Sequence, residues 1–220
     1  MSLAYDPEEA MAALMKADKR LARVIQRAGE FTMRPKRLQS VFHALLRAIV
    51  YQQLSGKAAA TILGRVLALN EAGERVTPDE ILATSDEALR GAGLSRNKLL
   101  AVKDLAQKTI DGVVPPLPKL RKLSDEEIVE RLTQVRGIGR WTVEMLLIFR
   151  MGRADVLPVT DLGVRRGYQL TYGLAELPTL EELRTYGERW RPYRSVASWY
   201  LWRACEQASG DGDTKNAVLR

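Results

Sequence analysis

The sequence predicts an all-α protein, and three observations carry that prediction. Apolar residues recur at helical spacing through nearly every segment long enough to classify, as in LQSVFHALLRAIVYQQ (38–53) and NKLLAVKDLAQKTIDG (97–112). Helix-start signatures precede such segments: Asp6-Pro7-Glu8-Glu9, Thr77-Pro78-Asp79-Glu80, Ser85-Asp86-Glu87, and Ser124 with Glu127. Few stretches show the alternation of apolar and polar residues that a half-buried strand requires.

Taken in order, a first helix starts at Asp6-Pro7, a second covers the amphipathic run 38–53, and a third extends from Ser55 to about Leu69. Further helices start at Thr77, at Ser85 and at Ser95, the last running to Gly112. VVPPLPKL (113–120) is expected to be a loop, because prolines at 115, 116 and 118 lack the amide hydrogen that a helix interior needs. Ser124 and Glu127 form a capping box for a helix to about Leu132. The polar end, DGDTKNAVLR (211–220), is expected to fray. No internal repeat or low-complexity segment is present.

Composition sets the outer bounds. A chain of 220 residues with 46% hydrophobic content can bury a core in one large or two small helical domains. A formal net charge of +7 suits a polyanionic partner, although it equally suits a ribosomal or merely soluble protein. The single cysteine, Cys205, excludes a disulfide framework and a four-cysteine iron–sulfur cluster within the chain. No cysteine or histidine cluster supports a transition metal, and the lone His43, inside an amphipathic helix, reads as structural. The N-terminus, MSLAYDPEEAMAALMKADKR, is acidic where a signal peptide is basic, and no apolar run reaches membrane-spanning length. A cytoplasmic location is expected.

The most informative stretch is TQVRGIGRWTVEMLLIFRMGRADVLPVTDLG (133–163). It follows the capped helix, opens with Gly137-x-Gly139, and continues into a second apolar helix: helix, hairpin, helix. Both glycines permit positive φ and close backbone approach, so hairpin amides and the free N–H groups of the second helix can converge on a phosphate. A dinucleotide-binding reading of the glycines fails, because that motif needs a strand before them and SDEEIVERLTQ is helical. Asp161, about twenty positions after Trp141, is the lone acidic candidate for chemistry, and it also reads as the N-cap of a helix beginning LGVRRGYQL.

GIGRWT, LPVTD with Asp161, and the later YGERWRPYRSVASWYLW (186–202) together resemble the helix-hairpin-helix DNA glycosylases, specifically the 3-methyladenine DNA glycosylase II type. VFHALLRAIVYQQLSGKAAATILGRV (41–66) resembles that family's first core helix, minor-groove wedge and following helix, so the likeness runs from about Val41 to Cys205. One departure is Arg136, where many members carry proline before the first glycine. The resemblance implies the HhH-GPD fold: two helical lobes with an interlobe cleft, a central lobe of 36–155 and a second of 1–35 plus 156–220, without the β-rich N-terminal domain of some members.

It also implies a site. Asp161 is expected to stabilise positive charge developing on the sugar and to orient or deprotonate the attacking water. Trp141 and Trp202 are expected as aromatic walls of a base pocket, with Met145 and Leu162 at positions where some relatives carry tyrosine, which leaves the range of bases open. Bifunctional relatives place a lysine where this chain has Trp141, so water is the expected nucleophile and no strand cleavage should follow. An indole face there also suits a cationic alkylated base. Taken alone, Trp141 also reads as ordinary core.

Gln53 or Leu54 is expected to fill the gap left by an everted nucleotide, although YQQLSGKA (51–58) also reads as a plain turn capped by Ser55. Arg136, Gly137, Gly139, Arg140 and Thr142 are expected at a phosphate. Main-chain carbonyls of Thr133, Val135 and Ile138 are expected to hold a structural Na+ or K+, with no cofactor required for catalysis and no iron–sulfur cluster. RPYR (191–194) reads either as a solvated face or as a phosphate-facing turn. The partner implied is double-stranded DNA with alkylated bases, met by a monomer. Two rivals stand beside this reading: a glycosylase of the same fold for oxidised or mismatched bases, and a non-catalytic DNA-binding module.

Overall fold

The computed structural model describes residues 3–209 apart from 37, 39, 71, 72, 74 and 75. The expected frayed end at 211–220 lies outside the described residues. Among these there are thirteen α-helices and no strand, as the helical periodicity predicts. The chain divides into two compact units: Leu38–Leu146 forms one, and the segments before and after it combine into the other. The resemblance placed the corresponding limits at 36 and 155; residues 147–155 group instead with the terminal segments.

The middle unit holds α3 (Val41–Tyr51), α4 (Gly56–Ala68), α5 (Pro78–Ala83), α6 (Asp86–Gly91), α7 (Arg96–Ile110), α8 (Leu117–Leu120), α9 (Asp125–Leu132) and α10 (Arg140–Leu146). Caps fix most of its helix starts. Ser40, Ser55, Ser85 and Ser95 each accept a backbone N–H three residues on, while Thr77 with Glu80 and Ser124 with Glu127 complete capping boxes. α3 is buried on almost every side, with Leu45, Ile49 and Val50 inaccessible to solvent, and it packs on α4 and α7. His43 bonds to the Val76 carbonyl at 2.8 Å, a structural contact as expected.

α8 corrects the loop expected at 113–120. Pro116 is its N-cap and a proline lies in its first turn, where helix amides have no intrahelical partner and a missing N–H costs nothing.

The other unit holds α1 (Pro7–Ala17), α2 (Lys19–Ala28), a π-helical stretch (Leu147–Met151) continuing from α10, α11 (Leu162–Tyr172), α12 (Leu180–Gly187), a 3-10 turn (Glu188–Trp190) and α13 (Arg194–Ser209). The expected first helix is α1, and α2, which the sequence reading did not place, follows it across Asp18. Its extended backbone ends α1, while its Oδ1 accepts Arg20 and Leu21 N–H groups at 3.0 Å and starts α2. Asp18 is only 4% exposed, and its other oxygen accepts from the Tyr172 hydroxyl and, at 3.0 Å, from Trp190 Nε1. One carboxylate thus joins α2, α11 and the 3-10 turn.

α11 and α13 form the closest helix pair in this unit. A Cβ on Gly167 would lie 1.9 Å from the Leu201 carbonyl oxygen, so only glycine lets the two backbones meet there. That approach carries the start of α11 against Trp202.

Candidate functional site

The hairpin begins where α9 ends. Gly137 has φ +78°, and a Cβ on it would sit 3.5 Å from Ala101 of α7. Of the two glycines, Gly139 does not use the positive φ that glycine permits. It remains outside the left-handed region, and its carbonyl accepts Thr142 N–H at 3.0 Å and Val143 N–H at 3.3 Å, opening α10. A Cβ at Gly139 would meet nothing within 4 Å, so no contact within the described residues requires glycine there.

The N–H groups of Gly137, Gly139 and Arg140 have no hydrogen-bond partner among the described residues. All three residues are exposed, an arrangement able to receive an anion. The Arg136 side chain is exposed as well, whereas Arg140 is engaged by Glu126 and lies 4.0 Å from Glu144. The bonded guanidinium holds the Glu126 carboxyl below its ordinary range, and Arg140 is raised in turn. Thr142 is buried and its N–H is already bonded to Gly139. The carbonyls of Thr133 and Ile138 receive no hydrogen bond from the described residues, and Val135 accepts one, from Ile138 N–H at 3.0 Å. All three therefore retain lone pairs that fit a monovalent cation.

Trp141 is half-buried in the first turn of α10, and Met145 is buried one turn later. In the loop after α3, Gln53 and Leu54 are both exposed, and Gln53 has φ +56°. Among the described residues it is the only non-glycine in the left-handed region, a conformation costing about 1–2 kcal/mol in an L-residue.

Asp161 is the N-cap of α11, as the sequence predicts, and it is 7% exposed. Its Oδ1 accepts Val164 N–H at 2.8 Å and Trp202 Nε1–H at 2.8 Å. The Trp202 ring stacks on Phe149 with centroids 5.4 Å apart. Leu162, next to Asp161, is 65% exposed. Gly163 makes the Trp202 contact possible, since a Cβ there would lie 2.8 Å from Trp202 Cδ1 and 3.1 Å from Asp161 Oδ1.

The phosphate-facing reading of RPYR is corrected by its ion pairs. Arg191 pairs with Asp155 and Glu188, and Arg194 pairs with Asp155 at 2.7 Å and Glu188 at 3.0 Å, so these charges are balanced within their own unit.

Three residues missed by sequence reasoning support the middle unit's elements. Lys98 Nζ donates to the carbonyls of Val50 (2.7 Å) and Gln52 (2.8 Å); Gln52 Nε2 donates to Gly137 O (2.8 Å); Asp104 Oδ2 accepts Arg136 N–H (2.7 Å). A signal existed for Lys98. A cation in a helix's first turn opposes the helix dipole, and here it is used to bind carbonyls instead. Burial pushes its ammonium pKa below the ordinary lysine value.

The chain as a whole is similar to known proteins. The chain is 38% identical over 213 residues to DNA-3-methyladenine glycosylase 1 of Schizosaccharomyces pombe, covering 92% of each chain. The structure is similar to a Schizosaccharomyces pombe 3-methyladenine DNA glycosylase solved in complex with abasic DNA, with TM-score 0.77, 38% identity and coverage of 94% of this chain and 100% of that one. It is also similar to a Bacillus halodurans DNA-3-methyladenine glycosidase, with TM-score 0.82, 36% identity and 91% of each chain covered. Residues 46–192, which contain the loop after α3, the hairpin and Asp161, match the model described as HhH-GPD superfamily base excision DNA repair protein. With its open hairpin amides, its capped aspartate and this match across most of its length, the chain belongs to the HhH-GPD superfamily of base excision DNA repair proteins.

Proposed function

We propose that this protein is a monofunctional DNA glycosylase that removes alkylated bases such as 3-methyladenine and 7-methylguanine from duplex DNA by hydrolysis. The observation that carries this reading is the Asp161 carboxylate, nearly buried and oriented by Val164 and Trp202 N–H donors, in a chain whose hairpin is followed by Trp141 rather than an amine. The names of relatives that match along nearly the whole chain support the substrate class.

Alkylation at a ring nitrogen makes the base cationic. When the C1′–N bond breaks, its electron pair leaves with the base, which departs neutral while C1′ becomes positive. Asp161 stabilises that charge. The attraction of unit charges 4 Å apart rises from about 1 kcal/mol in water to about 4 kcal/mol at an effective dielectric near 20, so the carboxylate's low exposure matters. Water then adds to C1′ and gives its proton to the carboxylate, leaving an abasic strand intact. Trp141 provides an aromatic face for the base, and a desolvated cation on such a face gains about 2 kcal/mol.

The Gly137, Gly139 and Arg140 amides and the Arg136 side chain hold a phosphate, and Gln53 or Leu54 fills the gap in the stack. Carbonyls of Thr133, Val135 and Ile138 would hold Na+ or K+, whose charge favours an anion at the hairpin. The protein acts as a monomer in the cytoplasm, and no helix of the described residues is long and apolar enough to cross a membrane.

Incubation with randomly methylated DNA, followed by chromatography of released bases, tests this reading. Release of 3-methyladenine and 7-methylguanine is expected. Preferential release of uncharged oxidised purines would favour the oxidised-base alternative, and abasic-DNA binding without any base release would favour a non-catalytic module.

A further inference from the structure

The wedge loop and the hairpin are both anchored to one side of α7. Lys98, Ala101, Asp104 and Lys108 lie along that side, over about 15 Å at the rise of a helix. Lys98 holds the carbonyls of Val50 and Gln52. Ala101 lies beneath Gly137, Asp104 accepts Arg136 N–H, and Lys108 donates both to Asp104 at 2.9 Å and to the Gln134 carbonyl.

A single side chain crosses from one element to the other. Gln52 is held at two points: its carbonyl by the Lys98 ammonium, and its side-chain amide by the Gly137 carbonyl at 2.8 Å. The next residue is Gln53, with its left-handed backbone and exposed side chain. An L-residue adopts that conformation stably when its surroundings over-determine it. Here the clamp on Gln52 supplies the constraint.

Gly137 is therefore the acceptor for Gln52 through its carbonyl while its N–H stays open to an anion. Contacts to phosphate are independent of sequence, and they position a protein on the duplex without inserting anything into it. A wedge must instead stand at a set distance from the gripped phosphate. We propose that Gln52 is a positioning residue for base eversion, holding the wedge in register with the phosphate-gripping hairpin, with Lys98 fixing its backbone. The proposal rests on the DNA-repair reading above and adds a coupling between two of its parts.

The test uses a duplex with 2-aminopurine beside an abasic-site analogue, together with single-turnover excision of 7-methylguanine placed either opposite cytosine or opposite an abasic-site analogue, where eversion is cheap. Gln52→Ala and Gln52→Glu are compared with the unsubstituted chain, and Lys98→Met with Lys98→Arg, which keeps donors for the two carbonyls. For the Gln52 variants and Lys98→Met, protein-induced brightening of 2-aminopurine should fall, and excision should slow by about fivefold to tenfold on the paired lesion but little on the unpaired one. Lys98→Arg should retain most of both signals.

Equal loss on the two lesions, or unchanged brightening in both Gln52 variants, overturns the proposal. The brightening does not depend on excision. If the unsubstituted chain excises nothing yet its brightening is lost in Gln52→Ala, the glycosylase reading fails while the coupling stands.

Discussion

The indole N–H of Trp202 donates to Oδ1 of Asp161 at 2.8 Å, across 41 positions of sequence. Trp202 was expected as a wall of the base pocket. In the structure its indole holds the Asp161 carboxylate while its ring stacks on Phe149. Trp202→Phe keeps an aromatic ring but removes the donor. A hydrogen bond to a charged group contributes about 1.5–3 kcal/mol, so single-turnover base release should slow by roughly tenfold to a hundredfold. Thermal melting should change much less, and an unchanged rate would show that Asp161 is oriented without the Trp202 donor.

Asp161→Asn separates the cap from the charge. Asparagine caps a helix about as well as aspartate, so the bond from Val164 N–H survives and α11 should form normally. The charge proposed to stabilise the developing sugar cation is lost. Base release should fall on the order of a thousandfold while binding to abasic duplex stays nearly intact. Near-normal turnover would remove Asp161 from the chemistry.

Gly163 and Gly167, one helical turn apart, should respond differently to alanine. At Gly163 the new methyl meets Trp202 Cδ1 at 2.8 Å, a side chain that can shift only by disturbing its bond to Asp161. Gly163→Ala should therefore lose activity more than stability. At Gly167 the methyl meets backbone, the Leu201 carbonyl oxygen at 1.9 Å, so α11 and α13 must separate. Gly167→Ala should destabilise by about 3 kcal/mol or more, read as a fall in the midpoint of denaturant unfolding.

These contrasts mark what the sequence could and could not disclose. Caps are local, so Ser124 with Glu127, Thr77 with Glu80 and Asp161 could be read from neighbouring residue types. The hairpin was legible for the same reason. Contacts across many positions were not: Trp202 with Asp161, Gln52 with Gly137, and Asp18 with Tyr172 depend on how helices pack. Local rules also misled in places. The prolines of 113–120 admit a one-turn helix because they occupy its start, and neither local reading of RPYR foresaw that Arg191 and Arg194 pair with Asp155.

Asp18 predicts a pH dependence. Burial raises its pKa, but the Leu21 N–H, the Tyr172 hydroxyl, Trp190 Nε1–H and the Arg20 N–H outweigh that cost and leave the net value below the ordinary one. A folded-state pKa below the unfolded value of about 3.9 means stability that is complete above that pH and is lost as pH falls through the folded value. Asp18→Asn presents donors to Tyr172 and Trp190, so it should be less stable at neutral pH. The difference between the two proteins in denaturant midpoint should shrink as pH falls below about 4. A constant difference would assign Asp18 a purely steric role.

On the proposed reading, Trp141 is the reason the reaction stops at the abasic site. It stands in the first turn of α10, two positions after Gly139, and no amine replaces it in the hairpin GIGRWT. The unsubstituted chain should give no borohydride-trapped adduct and no strand cleavage above background, because a Schiff base with the sugar requires an amine. Trp141→Lys restores that group at the position bifunctional relatives use, and a trace of trapping is expected. The same substitution exchanges an aromatic face for a like charge facing a cationic base, so excision of 7-methylguanine should fall sharply. Efficient trapping by the unsubstituted chain would overturn the monofunctional reading, and Lys57, exposed in the first turn of α4, would be the first lysine to replace.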